Sequence, residues 1–117
     1  MQTKADIRRE CRKQTGVAWD PLSKFKNGDF NENDPKLKCY LKCFMQKYGI
    51  FGDDSIYIDR VLRYLPYSMQ KTSKNTLEKC NLIPSTDSCD KAFQLLKCYF
   101  KSQPEVIFLK LLYYFTV

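Results

Sequence analysis

Six cysteines constrain the fold of this 117-residue chain more than any other feature, and they occupy positions 11, 39, 43, 80, 89 and 98. An even number of cysteines in a short chain is typical of secreted proteins, in which disulfides reinforce a small core. The length predicts a single domain over residues 1–117. Since the first ten residues are polar and charged, we expect no signal peptide and interpret the sequence as a mature form whose Met1 is an initiator.

The spacing of the cysteines limits how they can pair. In the stretch KCYLKCFMQKYG, residues 38 to 49, Cys39 and Cys43 lie on one helix face, one turn apart, where a bond between them would be strained. Cys89 and Cys98 face opposite sides of another predicted helix and are about 13 Å apart along its axis. Excluding these two bonds leaves ten of the fifteen pairings that six cysteines allow. We therefore expect the last helix to be bonded on two sides.

Capping and helix-breaking residues predict an all-α chain of six helices. The predicted helices lie within residues 3–16, 20–28, 34–49, 55–65, 68–80 and 87–102. Thr3 and Asp6 form a capping-box pattern at the first helix, and an Asp-Pro pair opens each of the next two. No alternating strand pattern with hairpin turn signals occurs.

Two of these helices carry apolar residues at the i, i+3, i+4, i+7 spacing of a buried face. The residues are Ile58, Val61, Leu62 and Leu65 on the fourth helix, and Ala92, Leu95, Leu96 and Tyr99 on the sixth. Such stripes are typical of core packing.

The C-terminal stretch EVIFLKLLYYFTV, residues 105–117, is apolar nearly all round. It is too short to span a bilayer, which needs about 20 residues. Because a free apolar tail would promote aggregation, we expect this segment to be buried, either completing the core or lining a cavity.

The chain carries 20 basic and 13 acidic residues, a net charge of +7, and no histidine. Its lysines are scattered rather than clustered, so we interpret them as a solvated surface and expect no nucleic-acid partner. Without histidine the chain has no histidine-based catalytic triad, histidine-ligated metal or histidine pH switch.

Two short motifs imitate functional sites. The stretch DFNENDPKLKCY, residues 29–40, has oxygen ligands where a calcium loop needs its first three, but Asp34 replaces the required Gly and Tyr40 the required Glu. We interpret it as a helix-capping loop. The pair Asp53-Asp54 is interpreted as a turn rather than as catalytic carboxylates. We predict no catalytic residue, no metal and no cofactor.

The spacing C-x27-C-x3-C-x36-C-x8-C-x8-C resembles the six-cysteine signature of the insect odorant-binding proteins, which include the pheromone-binding proteins. The resemblance extends from Cys11 to Cys98. It includes TGV at 15–17, LKCYLKC at 37–43, LP at 65–66 and CDKAFQLLKCY at 89–99. The family pairs its first cysteine with the third, the second with the fifth and the fourth with the sixth. The resemblance thus implies the disulfides Cys11–Cys43, Cys39–Cys89 and Cys80–Cys98.

The resemblance implies a compact bundle of six helices, or seven with the C-terminal segment, around an internal apolar cavity. It implies a secreted, non-catalytic carrier, for example in sensillum lymph, that delivers odorants, pheromones or lipid-like molecules to chemosensory receptors. It also implies a monomer or weak homodimer without stable membrane insertion. The implied ligand contacts are Met45, Ile50, Tyr57, Ile58, Val61, Leu62, Leu65, Ser73, Thr76, Ala92, Leu96, Tyr99 and Phe108. Among them, the hydroxyls of Tyr57, Ser73, Thr76 and Tyr99 are the candidates for a polar contact.

In several members of the family the final carboxylate closes the cavity by bonding one tyrosine and one arginine. The matching positions here are Tyr40 and Arg8, with Val117 as the last residue. We expect residues 104–117 to form a cavity wall or lid through Phe108, Leu111 and Tyr114.

A secreted helical protein that acts on membranes or on a receptor is the alternative interpretation. Saposin-like proteins belong to this class, but their cysteines have a different spacing, which favours the carrier.

Overall fold

A computed structural model describes residues 3–31 and 33–105 and contains six helices. They are α1 (Lys4–Thr15), α2 (Trp19–Lys26), α3 (Pro35–Lys47), α4 (Ile58–Leu62), α5 (Tyr67–Cys80) and α6 (Ser88–Ser102). Within the described residues the only β pairing is an isolated antiparallel bridge between Phe51 and Ile56. The all-α prediction is confirmed. No helix in these ranges combines the length and the apolar character needed to cross a membrane.

Side-chain caps define the starts of three helices as the sequence predicts. Thr3 and Asp6 form a reciprocal capping box at α1, in which each side chain accepts a hydrogen bond from the other residue's backbone N–H. Asp34 accepts from the N–H of Lys36 at the start of α3, and Asp87 accepts from the N–H of Asp90 at the start of α6. Each cap satisfies an N–H group that has no partner inside its own helix.

The predicted start of α2 is wrong. The helix begins at Trp19 after an N-cap at Ala18, so Pro21 occupies its third position rather than its first. The first-turn N–H groups of any helix lack intrahelical acceptors, so a proline there removes no hydrogen bond. A proline therefore marks the first turn of a helix but not its first residue.

The predicted bounds of the fourth helix, 55–65, are also wrong, because α4 contains only five residues. On its N-terminal side the chain is extended: Ile56 pairs with Phe51, and the N–H of Tyr57 donates to the carbonyl of Ile50. On its C-terminal side, Leu65 N–H bonds the carbonyl three residues back, which is a tight turn before Pro66. These contacts compete with the helix at both ends.

Helix α3 holds the fold together, since it packs against both α1 and α6. Disulfides join Cys11 to Cys43, Cys39 to Cys89 and Cys80 to Cys98, with Cα–Cα distances of 5.7, 4.6 and 5.6 Å. These are the three pairs that the family resemblance implies. They link α3 to α1 and to α6, and α6 to α5.

The core fills the space between these helices. Phe25 of α2 contacts the rings of Phe30, Phe93 and Phe100, with centroids 5.1 to 6.1 Å apart. The predicted stripe on α6 is fully buried, whereas of the stripe predicted for the fourth helix only Val61 of α4 and Leu65 of the following turn are buried. A five-residue helix near the surface cannot bury all four positions of its stripe.

Candidate binding site

Most residues predicted to contact a ligand belong to one apolar core built by α3, α4, α5, α6 and the turn after α3. The buried ones are Met45, Ile50, Val61, Leu65, Ser73, Ala92, Leu96 and Tyr99. Ile58, Leu62 and Thr76 are half-buried, Tyr57 is exposed, and Phe108 lies outside the described residues. A ligand-binding role for the buried set stays a prediction, because ordinary core residues would be equally buried.

A hydrogen-bonded polar cluster interrupts this apolar core between α5 and the end of α6. The Ser73 hydroxyl lies 2.8 Å from the Tyr99 hydroxyl and donates to Gln103 Oε1 at 3.0 Å. All three residues are buried, with relative exposures of 0%, 1% and 4%. Because a serine hydroxyl has one proton, its bond to Gln103 requires Tyr99 to donate to Ser73. The Tyr99 oxygen then keeps a lone pair available as an acceptor.

The environment of this cluster keeps the Tyr99 phenol protonated. Burial raises the pKa of Tyr99, the hydrogen bond with Ser73 opposes that effect, and the nearby Glu105 carboxylate raises the pKa further. The cluster is therefore a neutral hydrogen-bonding group in apolar surroundings.

The family resemblance implied Ser73 and Tyr99 as candidate polar contacts to a ligand, and that role stays a prediction. Their hydrogen bond to each other and the part played by Gln103 were not predicted. Gln103 follows the last residue of α6, and its N–H donates to the Tyr99 carbonyl. Its spacing of four residues from Tyr99 places both side chains on the same face. That spacing was the available signal, but a glutamine beyond a helix end is normally exposed.

The other two predicted polar contacts lie elsewhere. The Tyr57 side chain is 42% exposed, with the Arg60 guanidinium 4.5 Å above its ring and its hydroxyl close to the backbone of Gly52. The Thr76 hydroxyl donates to the carbonyl of Thr72 on its own helix. In this conformation, neither hydroxyl joins the buried cluster.

Tyr40, predicted as a lid contact, is buried beside two arginines. Burial raises the pKa of Tyr40 to about 12, while the positive charges of Arg12 and Arg8 oppose that rise. The positive charge of Arg8 therefore acts on the Tyr40 phenol. Their predicted lid partners Leu111, Tyr114 and Val117 lie outside the described residues, so the lid stays a prediction.

A surface groove of about 460 Å³ runs between the end of α4 and the first half of α5. Its lining residues are Leu62, Tyr67, Ser68, Gln70, Lys71 and Lys74. Only Leu62 was predicted as a ligand contact.

The described chain is a small all-α protein in which three disulfides join the helices and a polar cluster lies inside the apolar core. Residues 1–102 match the PBP/GOBP family. The chain belongs to this family, and the prediction from the cysteine spacing is confirmed.

Known proteins similar to this chain include odorant-binding proteins of several insects. General odorant-binding protein 69a of Drosophila melanogaster is 30% identical over 94 residues, which cover 80% of this chain and 64% of the relative's length. The crystal structure of the medfly odorant-binding protein CcapOBP22/CcapOBP69a superposes with a TM-score of 0.77 at 27% identity, covering 97% of this chain and 98% of that one. The fatty acid binding protein OBP56a from the oral disk of the blowfly Phormia regina has a TM-score of 0.70 at 29% identity, covering 87% of this chain and 90% of that one.

Proposed function

We propose that this chain is an extracellular carrier that holds small hydrophobic molecules in an enclosed apolar cavity and delivers them to chemosensory receptors. Membership of the PBP/GOBP family and the odorant-binding relatives support this function. The observation that carries the proposal is the buried, hydrogen-bonded cluster of Ser73, Tyr99 and Gln103 among the apolar core residues. Such a combination of apolar lining and few polar groups is typical of small-molecule sites.

The apolar residues supply affinity and the polar cluster supplies orientation. Burial of ligand surface contributes about 25 cal/mol per Å² of apolar area. The Tyr99 oxygen can accept a hydrogen bond from a ligand hydroxyl, so alcohols should bind more tightly than hydrocarbons of the same length. The blowfly relative, named as a fatty acid binding protein, fits the same general class of oxygenated apolar ligands.

Residues 104–117, including Phe108, Leu111 and Tyr114, are proposed as the wall or lid of this cavity. They lie outside the described residues apart from Pro104 and Glu105. Removal of residues 105–117 should weaken ligand binding if this segment covers the cavity. Equal affinity in the truncated and full chains would refute the lid.

The proposed carrier has no enzymatic role. All six cysteines form disulfides, so no free thiol is available as a nucleophile. The chain also has no histidine to act as a general base. The three disulfides and the family support a secreted protein.

The direct test is displacement of the fluorescent probe N-phenylnaphthylamine by alcohols and alkanes of equal length. The carrier should bind the probe and release it more readily to the alcohol. Tyr99→Phe should remove most of this preference, because the phenylalanine ring has no oxygen to accept a bond from the ligand. Tyr64→Phe, which removes a phenol on the exposed side of the turn after α4, is the matched control. An unchanged preference in Tyr99→Phe would place the polar contact elsewhere.

Action on a membrane is the second candidate, favoured by the net charge of +7 and by exposed aromatic residues such as Trp19 at 66%. Leakage of dye from liposomes, without probe displacement by alcohols, would favour it over the carrier.

A further inference from the structure

The surface groove between α4 and α5 combines an apolar floor with an open aromatic wall. Leu62 is half-buried and packs against the hydrophobic core, while the Tyr67 side chain is 90% exposed. The groove volume of about 460 Å³ falls within the range of about 300–1,000 Å³ that is typical of small-molecule sites. An alkyl chain lying there would cover apolar surface that now contacts water.

The rim of the groove is positively charged. Lys71 and Lys74 follow Tyr67 by four and seven residues, so the three side chains leave α5 on the same side. Among the residues that the structure describes, no acidic side chain lines the groove. Within the part of the chain that the structure describes, neither lysine forms a salt bridge, although Glu78 lies one helical turn beyond Lys74. Two ammonium groups thus lie beside an apolar surface, and no carboxylate of residues 3–31 or 33–105 pairs with them.

The groove differs in chemistry from the buried cluster. The Ser73–Tyr99 cluster is neutral and lies in the core, where an unpaired carboxylate would carry a large desolvation cost. The groove is open to water, so a carboxylate there can contact both lysines and remain hydrated. Ser68 adds a hydroxyl that can donate to the same anion.

We propose that this groove binds an anionic amphiphile, namely a medium-chain alkyl carboxylate. Its carboxylate contacts the ammonium groups of Lys71 and Lys74, and its alkyl chain lies on Leu62 and the ring of Tyr67. This inference rests on the proposed carrier function and assigns a ligand class to one face of the protein. In this proposal, the protein prefers an alkyl carboxylate to a neutral alcohol because of the two lysines at the groove. The net charge of the whole protein does not cause the preference.

The test compares decanoate with decanol by equilibrium dialysis of radiolabelled ligand, since the two share an alkyl chain and differ in head-group charge. The variant K71E/K74E should lose decanoate affinity about tenfold, because two attractions become two repulsions at an exposed site. Its decanol affinity should stay within about twofold. K79E/K101E changes two exposed lysines outside the groove and has the same net charge, so it should bind both ligands as the wild type does. Tyr67→Ala should lower decanoate affinity without a change of charge.

The outcomes separate this inference from the carrier function. If the wild type binds neither decanoate nor decanol, the carrier function fails. If it binds both but K71E/K74E and K79E/K101E lose decanoate equally, only the groove is refuted, because the effect then follows net charge. Sedimentation with phosphatidylglycerol vesicles provides the remaining comparison. Loss of vesicle binding in K71E/K74E, with decanoate binding intact, would assign the face to a lipid surface and overturn the proposal.

Discussion

Asp90 forms the most buried ion pair that the structure describes, and its replacement should test how α3 and α6 are held together. Its carboxylate lies 2.8 Å from Lys38 Nζ, and the two side chains are 8% and 16% exposed. It also accepts from the N–H of Thr86 at 3.0 Å and from Gln94 Nε2 at 3.3 Å. Burial raises the pKa of Asp90, but these hydrogen bonds and the charge of Lys38 outweigh burial and leave the pKa below its ordinary value.

Asp90→Asn should destabilise the protein by about 2–3 kcal/mol near neutral pH. Removing one partner of a fully buried pair costs about 3–5 kcal/mol. The cost is lower here because Lys38 can turn its ammonium group toward water. For a domain of this size such a change lowers the melting temperature by about 10 °C. Thermal unfolding followed by circular dichroism measures it, with the exposed Asp53→Asn as a control that should change stability by less than about 0.5 kcal/mol.

The pH dependence of this effect has a defined sign. Since folding lowers the pKa of Asp90, its contribution is fully present above the unfolded-state pKa of about 3.9. The contribution is lost as the pH falls through the folded-state pKa. The stability gap between wild type and Asp90→Asn should therefore narrow below about pH 4. The reasoning is refuted if the two proteins are equally stable near neutral pH, or if the gap is unchanged in acid. Lys38→Met combined with Asp90→Asn should recover most of the loss, because no buried charge remains unpaired.

Three further predictions concern the disulfides, one glycine and one tyrosine. Non-reducing peptide mapping should find Cys39 bonded to Cys89, and reduction of each bond should cost about 2–4 kcal/mol of stability; any other partner for Cys39 would contradict the fold. Gly52→Ala should destabilise the protein by about 0.5–1 kcal/mol, because a Cβ there would lie 2.6 Å from the Tyr57 hydroxyl. In a double-mutant cycle, Tyr57→Ala should abolish that penalty. Ultraviolet titration should show the Tyr40 phenol ionising at about pH 12. The stability linked to its raised pKa should be lost as the pH rises from about 10. Ionisation near pH 10 in the folded protein would contradict the burial of Tyr40.

The sequence by itself determined the features that depend on neighbouring residues. The caps at Thr3, Asp34 and Asp87 are local hydrogen bonds, so their residue types are enough to predict three helix starts. The apolar stripe on α6 follows from helical periodicity alone, and it is buried as predicted. The cysteine spacing reduced the possible pairings without choosing one, and the family resemblance was needed to select it.

Contacts between segments that are distant in the sequence determined the features that the sequence did not predict. The extended chain that pairs with Phe51 and the turn before Pro66 shorten α4, although its apolar stripe continues to Leu65. Gln103 enters the core because Ser73, 30 residues earlier, offers it a hydrogen bond there. The side chain of Tyr57 turns outward because Gly52 leaves room for its ring and Arg60 stacks on it. Local propensity is set within a few residues, whereas burial and hydrogen-bond partners depend on which segments the folded core brings together.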